Sequence, residues 1–364
     1  MTNGMDWTSV LFAVLILGSY LLSFTDLPQR MQLWRYSSFI RKKILQLTEL
    51  EEDSKRKAVK YLKKVGVPNP TGVLNGFINN FFLISPVDLE PTDIIKRLRH
   101  LLRGRDESIR HYVKSTVPAK DEATLQNAEV MMEIASALTL INKTVKHYYK
   151  LGLKYNNWVL MMQLALELHQ IVSLAKSYDD AMDSFMKGVP IGDGAGPLLV
   201  HYLKGDTDPE EIVKETVLYK TELEGRKLYL IKAKGPGSTV GYPGEAVEKV
   251  VEMLNGEVAK IITVDAALKL ESESTGEVAH GVGAAIGDPG PEKIAIERVA
   301  AKHGIPLEAV VIKMSNEEAI TAMTHQIYEG VKKALEVVKR IIKDTVKEGE
   351  AIVIAGIGNT VGIA

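Results

Sequence analysis

Two aspartates and one histidine stand out by their settings. Asp193 sits in the glycine turn of VPIGDGAGPLLVHYL (189–203), directly before an apolar helical run. Asp265 follows the apolar run Ile261–Val264 in IITVDAALKLESESTGEVAHG (261–281), where His280 stands near the end. In an open α/β sheet, ligands bind outside the carboxyl ends of the strands. A carboxylate at such a place can bind a divalent metal, act as a general base or accept a hydrogen bond from a substrate hydroxyl. The bland alternative is that each aspartate accepts backbone N–H bonds in its own turn. A histidine standing alone is more often a hydrogen-bonded surface residue than a ligand.

A second candidate is the glycine-rich stretch YLIKAKGPGSTVGYPGEAVEKVVEML (229–254), read as strand, loop and helix. Glycines let a backbone approach a ligand, and a helix N-terminus favours an anion. Lys234, Gly235, Gly237, Ser238, Thr239, Gly241 and Gly244 are therefore candidate binding residues for an anionic small molecule or nucleotide. The alternative is a tight, purely structural crossover. The loop fits neither G-x-G-x-x-G nor G-x-x-x-x-G-K-[ST]. No G-x-S-x-G elbow is present to suggest a serine hydrolase. The segment AIVIAGIGNTVGIA (351–364) leaves its strand through a glycine turn, which must form a wall or meet a neighbouring chain.

Composition narrows the classes. The 364 residues suit about two domains. With 45 Lys plus Arg against 46 Asp plus Glu, no net positive field attracts nucleic acid, and no nucleic-acid partner is expected. The chain has no cysteine, so disulfides, thiolate metal sites and a cysteine nucleophile are excluded.

These residues need elements to hold them. Residues 188–364 alternate β-branched runs with helical stretches, predicting strands at 228–233, 261–264, 309–314 and 351–355 and helices at 245–255, 291–303 and 316–346. The pattern predicts an α/β domain with a mostly parallel sheet covered by helices. Residues 31–187 read as a helical domain. Its long helices are expected at 32–65, 121–151 and 157–186, and a shorter one begins after Thr92-Asp93 and stops at Gly104. Long amphipathic helices beside an anchor favour self-association, so a homo-oligomer is one expectation. The Met-rich patches in these helices read as core.

Residues 1–30 read as a transmembrane anchor. WTSVLFAVLILGSYLLSF, Trp7 to Phe24, carries no charge over 18 residues and spans ~27 Å as a helix. Residues 1–6 lack the basic residues of a signal peptide; Arg30, Arg35, Arg41, Lys42 and Lys43 follow the run instead. A single-pass protein with the bulk of the chain cytoplasmic is expected.

The motifs VPIGDGAGPL, KGPGSTVGYPG, TVDAALKLE, GAAIGDPGPEKIAIE and GIGNT resemble those of an archaeal family of membrane proteins known only as a domain of unknown function. More distantly, Gly192-Asp193-Gly194 with Gly196-Pro197, followed by Asp265-Ala266, is similar to the motif order of the hydrogenase-maturation-protease and spore-protease (germination protease) fold group. The maturation branch implies a divalent metal of the Zn or Ni type on Asp193, Asp265 and His280. The spore branch implies an Asp193–Asp265 pair working without metal. This sequence departs from the pattern in two places: its GIGN lies at 356–359, after both acids, and His280 follows Asp265 closely.

The leading expectation is a membrane-anchored hydrolase with a peptidase-like domain acting on a substrate protein. The rivals are a non-catalytic sensor with a small anionic ligand at 235–244 and a membrane-associated oligomeric scaffold.

Overall fold

The computed structural model describes residues 7–23, 27–81, 93–287 and 290–364. Phe24 of the expected anchor, the apolar residues Phe82–Ile84, most of SPVDLEPTD and Asp288–Pro289 of GDPGPEK lie outside the described residues.

Six helices come first: α1 (Trp7–Ser23), α2 (Leu27–Lys64), α3 (Pro70–Ile78), α4 (Ile94–Thr116), α5 (Glu122–Lys154) and α6 (Trp158–Lys187). Several ends follow directly from the sequence. Pro70 opens α3, where Asn69 Oδ1 accepts the Gly72 N–H at 3.0 Å. Asp121 caps α5 at the Thr124 N–H, 2.8 Å away, and Asn157 caps α6 at the Leu160 N–H, 3.0 Å away. Gly104 does not stop α4. The helix continues on the buried Ile109 and Val113 and ends only where Val117 turns extended before Pro118.

Among the described residues one helix, α6, is long and apolar enough to cross a membrane by length and composition. Its face at Met161, Leu168, Ala175 and Met182, spaced by seven residues, is fully buried or nearly so. The N-terminal helix α1 has 17 residues and a bare apolar surface, with Phe12 68% and Leu17 64% exposed.

The chain divides into two compact units, Met1–Glu52 with Ala137–Lys176, and Asp53–Ser136 with Ser177–Ala364. This division cuts across the helical segment, so helical residues share the second unit with the α/β part. There α4 is tied to the α/β part: Arg103 pairs with Glu245, and Arg110 with Glu215.

A 3-10 turn (Gly192–Gly194) and α7 (Ala195–Leu203) lead into the sheet. The order continues β1 (Glu210–Val213), β2 (Thr216–Leu223), β3 (Arg226–Ala233), α8 (Pro243–Met253), β4 (Lys260–Leu268), β5 (Val278–Val282), α9 (Pro291–His303), β6 (Leu307–Met314), α10 (Asn316–Ile320), α11 (His325–Thr345) and β7 (Ala351–Gly356). The seven strands lie in the order β1-β2-β3-β7-β4-β6-β5. The sheet is mixed rather than mostly parallel. The central strands β3, β7, β4 and β6 are parallel, but β1 and β2 join antiparallel on one side and β5 on the other. The stretch 316–346 is two helices. Ser315 forms a capping box with Glu318, a bridge from Ile191 to Ala322 interrupts the run, and Thr324 caps the second helix.

Apolar residues cover both faces of the sheet. One core joins Leu199, Val264, Ile312, Val331 and Ile354, where α7 and α11 pack. The other joins Ile231, Val247, Ile261, Ile296 and Val353, where α8 and α9 pack. The first turn of α7 rests on backbone. A Cβ at Gly196 would lie 2.3 Å from the carbonyl oxygens of both Ile357 and Val264, and one at Gly356 would lie 2.4 Å from the oxygen of Gly196. Gly196→Ala must therefore lift α7 off the sheet and is expected to destabilise the second unit by roughly 1–3 kcal/mol. Gly104→Ala, on an open helix surface, is expected to stabilise by up to about 1 kcal/mol. Denaturant unfolding of the full chain in detergent micelles, followed by circular dichroism, measures both.

Candidate functional site

The strand β4 outruns its neighbour. It pairs with β7 as far as Val264 opposite Gly356, and the Ile357 N–H then donates to the Val264 carbonyl at 2.8 Å. Asp265 is the next residue, still paired with Val311 of β6 but past the end of β7. Side chains alternate along a strand, so Asp265 shares the face of Ile261 and Thr263. The segment 284–287 is strapped across that face: the Ala285 N–H donates to Thr263 Oγ1 at 2.8 Å, and the Gly287 N–H donates to the Asp265 carboxylate. Asp265 is 3% exposed, and its Oδ1 also accepts the Ala266 N–H at 2.7 Å.

Asp193 is held by the 3-10 turn. The Gly192 N–H donates to the Thr321 carbonyl at 3.1 Å and the Gly194 N–H to the Ile191 carbonyl at 2.9 Å. The Asp193 Oδ2 accepts the Asn359 N–H at 2.8 Å. Gly358, at φ 127°, is required here because a Cβ would meet the Asp193 carbonyl oxygen at 1.9 Å. The segment after β7 is thus a support for Asp193. Asn359 Nδ2 donates to Ser238 Oγ at 2.9 Å, and the buried Thr360 donates to the carbonyls of Gly237 and Thr239.

Both aspartates line one cavity of about 430 Å³, with Ala266, Ala284, Ala285, Lys293, Ser315 and Asn316 among its walls. Burial pushes the Asp265 carboxyl well above the ordinary carboxylate range, and the charge of Asp193 pushes it further; the N–H donors of Ala266 and Gly287 only partly offset this. Burial also raises Asp193, against the pull of the Asn359 N–H. Both shifts favour the protonated carboxyl, and in neighbouring carboxyls the charge of one opposes ionisation of the other.

His280 does not belong to this cavity. On β5 it pairs with Val310, whereas Ala279 pairs with Val311, the partner of Asp265. The alternation therefore puts His280 on the opposite face of the sheet. Its Nε2 lies 2.8 Å from Glu308 Oε2, and Glu308 also pairs with Lys260. The three-ligand set implied by the protease resemblance is not assembled. Among the described residues no group of three or more His, Asp or Glu is arranged to hold a metal ion.

The glycine loop is filled by the chain itself. A Cβ at Gly235 would meet the Ile363 carbonyl oxygen at 1.7 Å, and one at Gly237 would meet Gln126 Oε1 at 1.9 Å. Gly241 has φ 58° and lies against Thr216, and Gly244 against Glu292. The Ser238 N–H donates to Asn127 Oδ1, and Thr239 Oγ1 donates to Glu215. Lys234 pairs with Glu211 at 2.8 Å and Glu122 at 3.3 Å. At the N-terminus of α8, the anion is Glu292 of α9, whose Oε2 accepts the Gly244 and Glu245 N–H groups at 2.8 and 3.2 Å. These glycines thus lie in close contact with the chain's own backbone and side chains.

The site also contains residues that the sequence reading passed over. Asn359 stood inside a noted motif without a role. Lys293, Ser315 and Asn316 come from helix starts, and nothing in their spacing connects them to Asp193 or Asp265.

The folded Asp265 carboxyl keeps its proton to higher pH than the unfolded one, whose pKa is near 3.8. Between that value and the raised folded one, the native state binds more protons, so stability falls as pH rises. Denaturant midpoints measured across pH 4–8 are expected to decline in this window for the wild type. Asp265→Asn is expected to flatten the decline.

Comparison with known families gives two matches. A family model described as a domain of unknown function (DUF1512), C-terminal, matches residues 191–364, and one described as a protein of unknown function (DUF1512), N-terminal domain, matches residues 14–188. Neither match supports the protease likeness. No curated protein matches the chain. The two models together cover most of the sequence, and the chain belongs to the DUF1512 family.

Proposed function

We propose that this protein is a membrane-anchored hydrolase, peptidase-like in its chemistry, in which Asp193 and Asp265 form the acid–base pair. The observation that carries the reading is that both carboxyls line one cavity, where the charge of one raises the pKa of the other. An ionised partner takes a proton from water, and the water oxygen bonds to the substrate carbonyl carbon. The protonated partner gives its proton to the leaving amine as the C–N bond breaks, and the pair ends with its single proton exchanged. No step is routed through a metal, because the donor set that would hold one is split between the two faces of the sheet. The bare apolar surface of α1, followed by the basic residues from Arg30 to Lys43, supports attachment to a membrane with the basic side cytoplasmic.

The test is hydrolysis of a free-ended peptide library by the full chain in lipid nanodiscs, with new amine groups counted across pH 4–9. Cleavage is expected for the wild type. Asp193→Asn and Asp265→Asn are each expected to lower it by roughly 10²–10⁴-fold while circular dichroism stays native. No cleavage by the wild type, or equal cleavage by both variants, overturns the reading.

A further inference from the structure

Lys293 is the cavity residue that the acid pair does not use. It is half-buried, it lines the same cavity as Asp193 and Asp265, and it makes no hydrogen bond or ion pair among the described residues. Its place is electrostatically unfavourable. Lys293 lies in the first turn of α9, where the helix dipole disfavours a cation, and the neighbouring Glu292 is turned away to the start of α8. A half-buried lysine in that position, without a structural partner, is stabilised when an anion enters the cavity.

The rest of the wall limits what that anion is attached to. Ala266, Ala267, Ala284, Ala285 and Ala319 present methyl groups, and Val311 and Met314 add apolar surface. Among the described residues no other lysine or arginine lines the cavity. A single cation suits one carboxylate better than a polyanion. The two buried aspartates would also repel a multiply charged group.

We infer that Lys293 holds the terminal carboxylate of the substrate, which makes the substrate class a short peptide end bearing small apolar side chains. The inference rests on the hydrolase reading and names the substrate of that same site. Lys293 is a specificity-determining residue here, and the chemistry stays with the aspartates.

The probe is the reduced-amide analogue of N-acetyl-Ala-Ala, which cannot be hydrolysed, compared with the same compound as its C-terminal amide. Binding to the full chain in nanodiscs is measured by isothermal titration calorimetry. The free acid is expected to bind the wild type roughly ten- to hundredfold more tightly than the amide. Lys293→Met should abolish the preference, and Lys293→Arg should keep most of it. Unfolding of both variants should match the wild type, since Lys293 bonds to no other described residue. Equal binding of acid and amide, a preference that survives in Lys293→Met, or no binding of either compound overturns the inference. Because neither compound is turned over, the result is separable from the library assay. A lost acid preference with intact peptide cleavage refutes Lys293 alone, and an intact preference without cleavage refutes the hydrolase reading.

Discussion

The second unit is organised around a contact between backbones. Gly196 and Gly356 carry no side chains, so the first turn of α7 lies directly on the ends of β4 and β7. That closeness fixes the 3-10 turn just before α7, and with it Asp193, at the place where β4 runs on past the end of β7, paired only with β6. A side chain at either glycine would run into the backbone of the other element. The segment after β7 then closes against the same turn through Gly358 and the Asn359 N–H. Three stretches far apart in sequence thus meet through glycines, and Asp193 and Asp265 come to line one cavity.

Burying two carboxyls so near each other is costly, and the fold offsets the cost with main-chain donors. Asp265 receives the N–H groups of Ala266 and Gly287, and Asp193 that of Asn359. The donors also tie the carboxyls to the loops that wall the cavity, so each acid is part of the support of its own site. Elsewhere in the unit buried acids are treated differently. Glu292 is spent on the N-terminus of α8, and Glu215 is paired with Arg110 and bonded by Thr239. Glu129 of α5 is a further case, raised to about 8 first by burial and then by Glu133.

Much of this was legible in the sequence, and the failures have physical causes. Strands β3, β4, β6 and β7 announce themselves as β-branched runs because they form the parallel centre of the sheet, with helices packed on both faces. Strands β1, β2 and β5 lie to the outside of the sheet and alternate or carry polar residues, as in TVLYKTEL and VAHGV, so they lack such runs. Their antiparallel pairing is what turned an expected parallel sheet into a mixed one. Gly104 misled as a helix stop because local propensity is weaker than the burial of Ile109 and Val113 beyond it. Asp193 and Asp265 were identifiable as acids in unusual settings, but His280 was grouped with them only through the resemblance to the maturation proteases. One step along β5 decides which face a side chain takes, and that register is not written in spacing. The glycine loop leaves both of its readings open in the sequence for a related reason: glycine signals close approach of a backbone without saying to what.

The strand order has a consequence for the folding reaction. β7 lies between β3 and β4, yet it follows both of them, and β6 and α11, in the chain. Neither β3 nor β4 has its inner neighbour until that late segment arrives, so until then two apolar edges stand open. Parallel pairings between distant segments close slowly, because the loop entropy is lost before the contacts reward it. An intermediate lacking β7 would expose the row from Leu228 to Lys232 on one side and from Lys260 to Val264 on the other. Such edges template association with other chains, which makes the waiting time for β7 the vulnerable interval in the life of this protein.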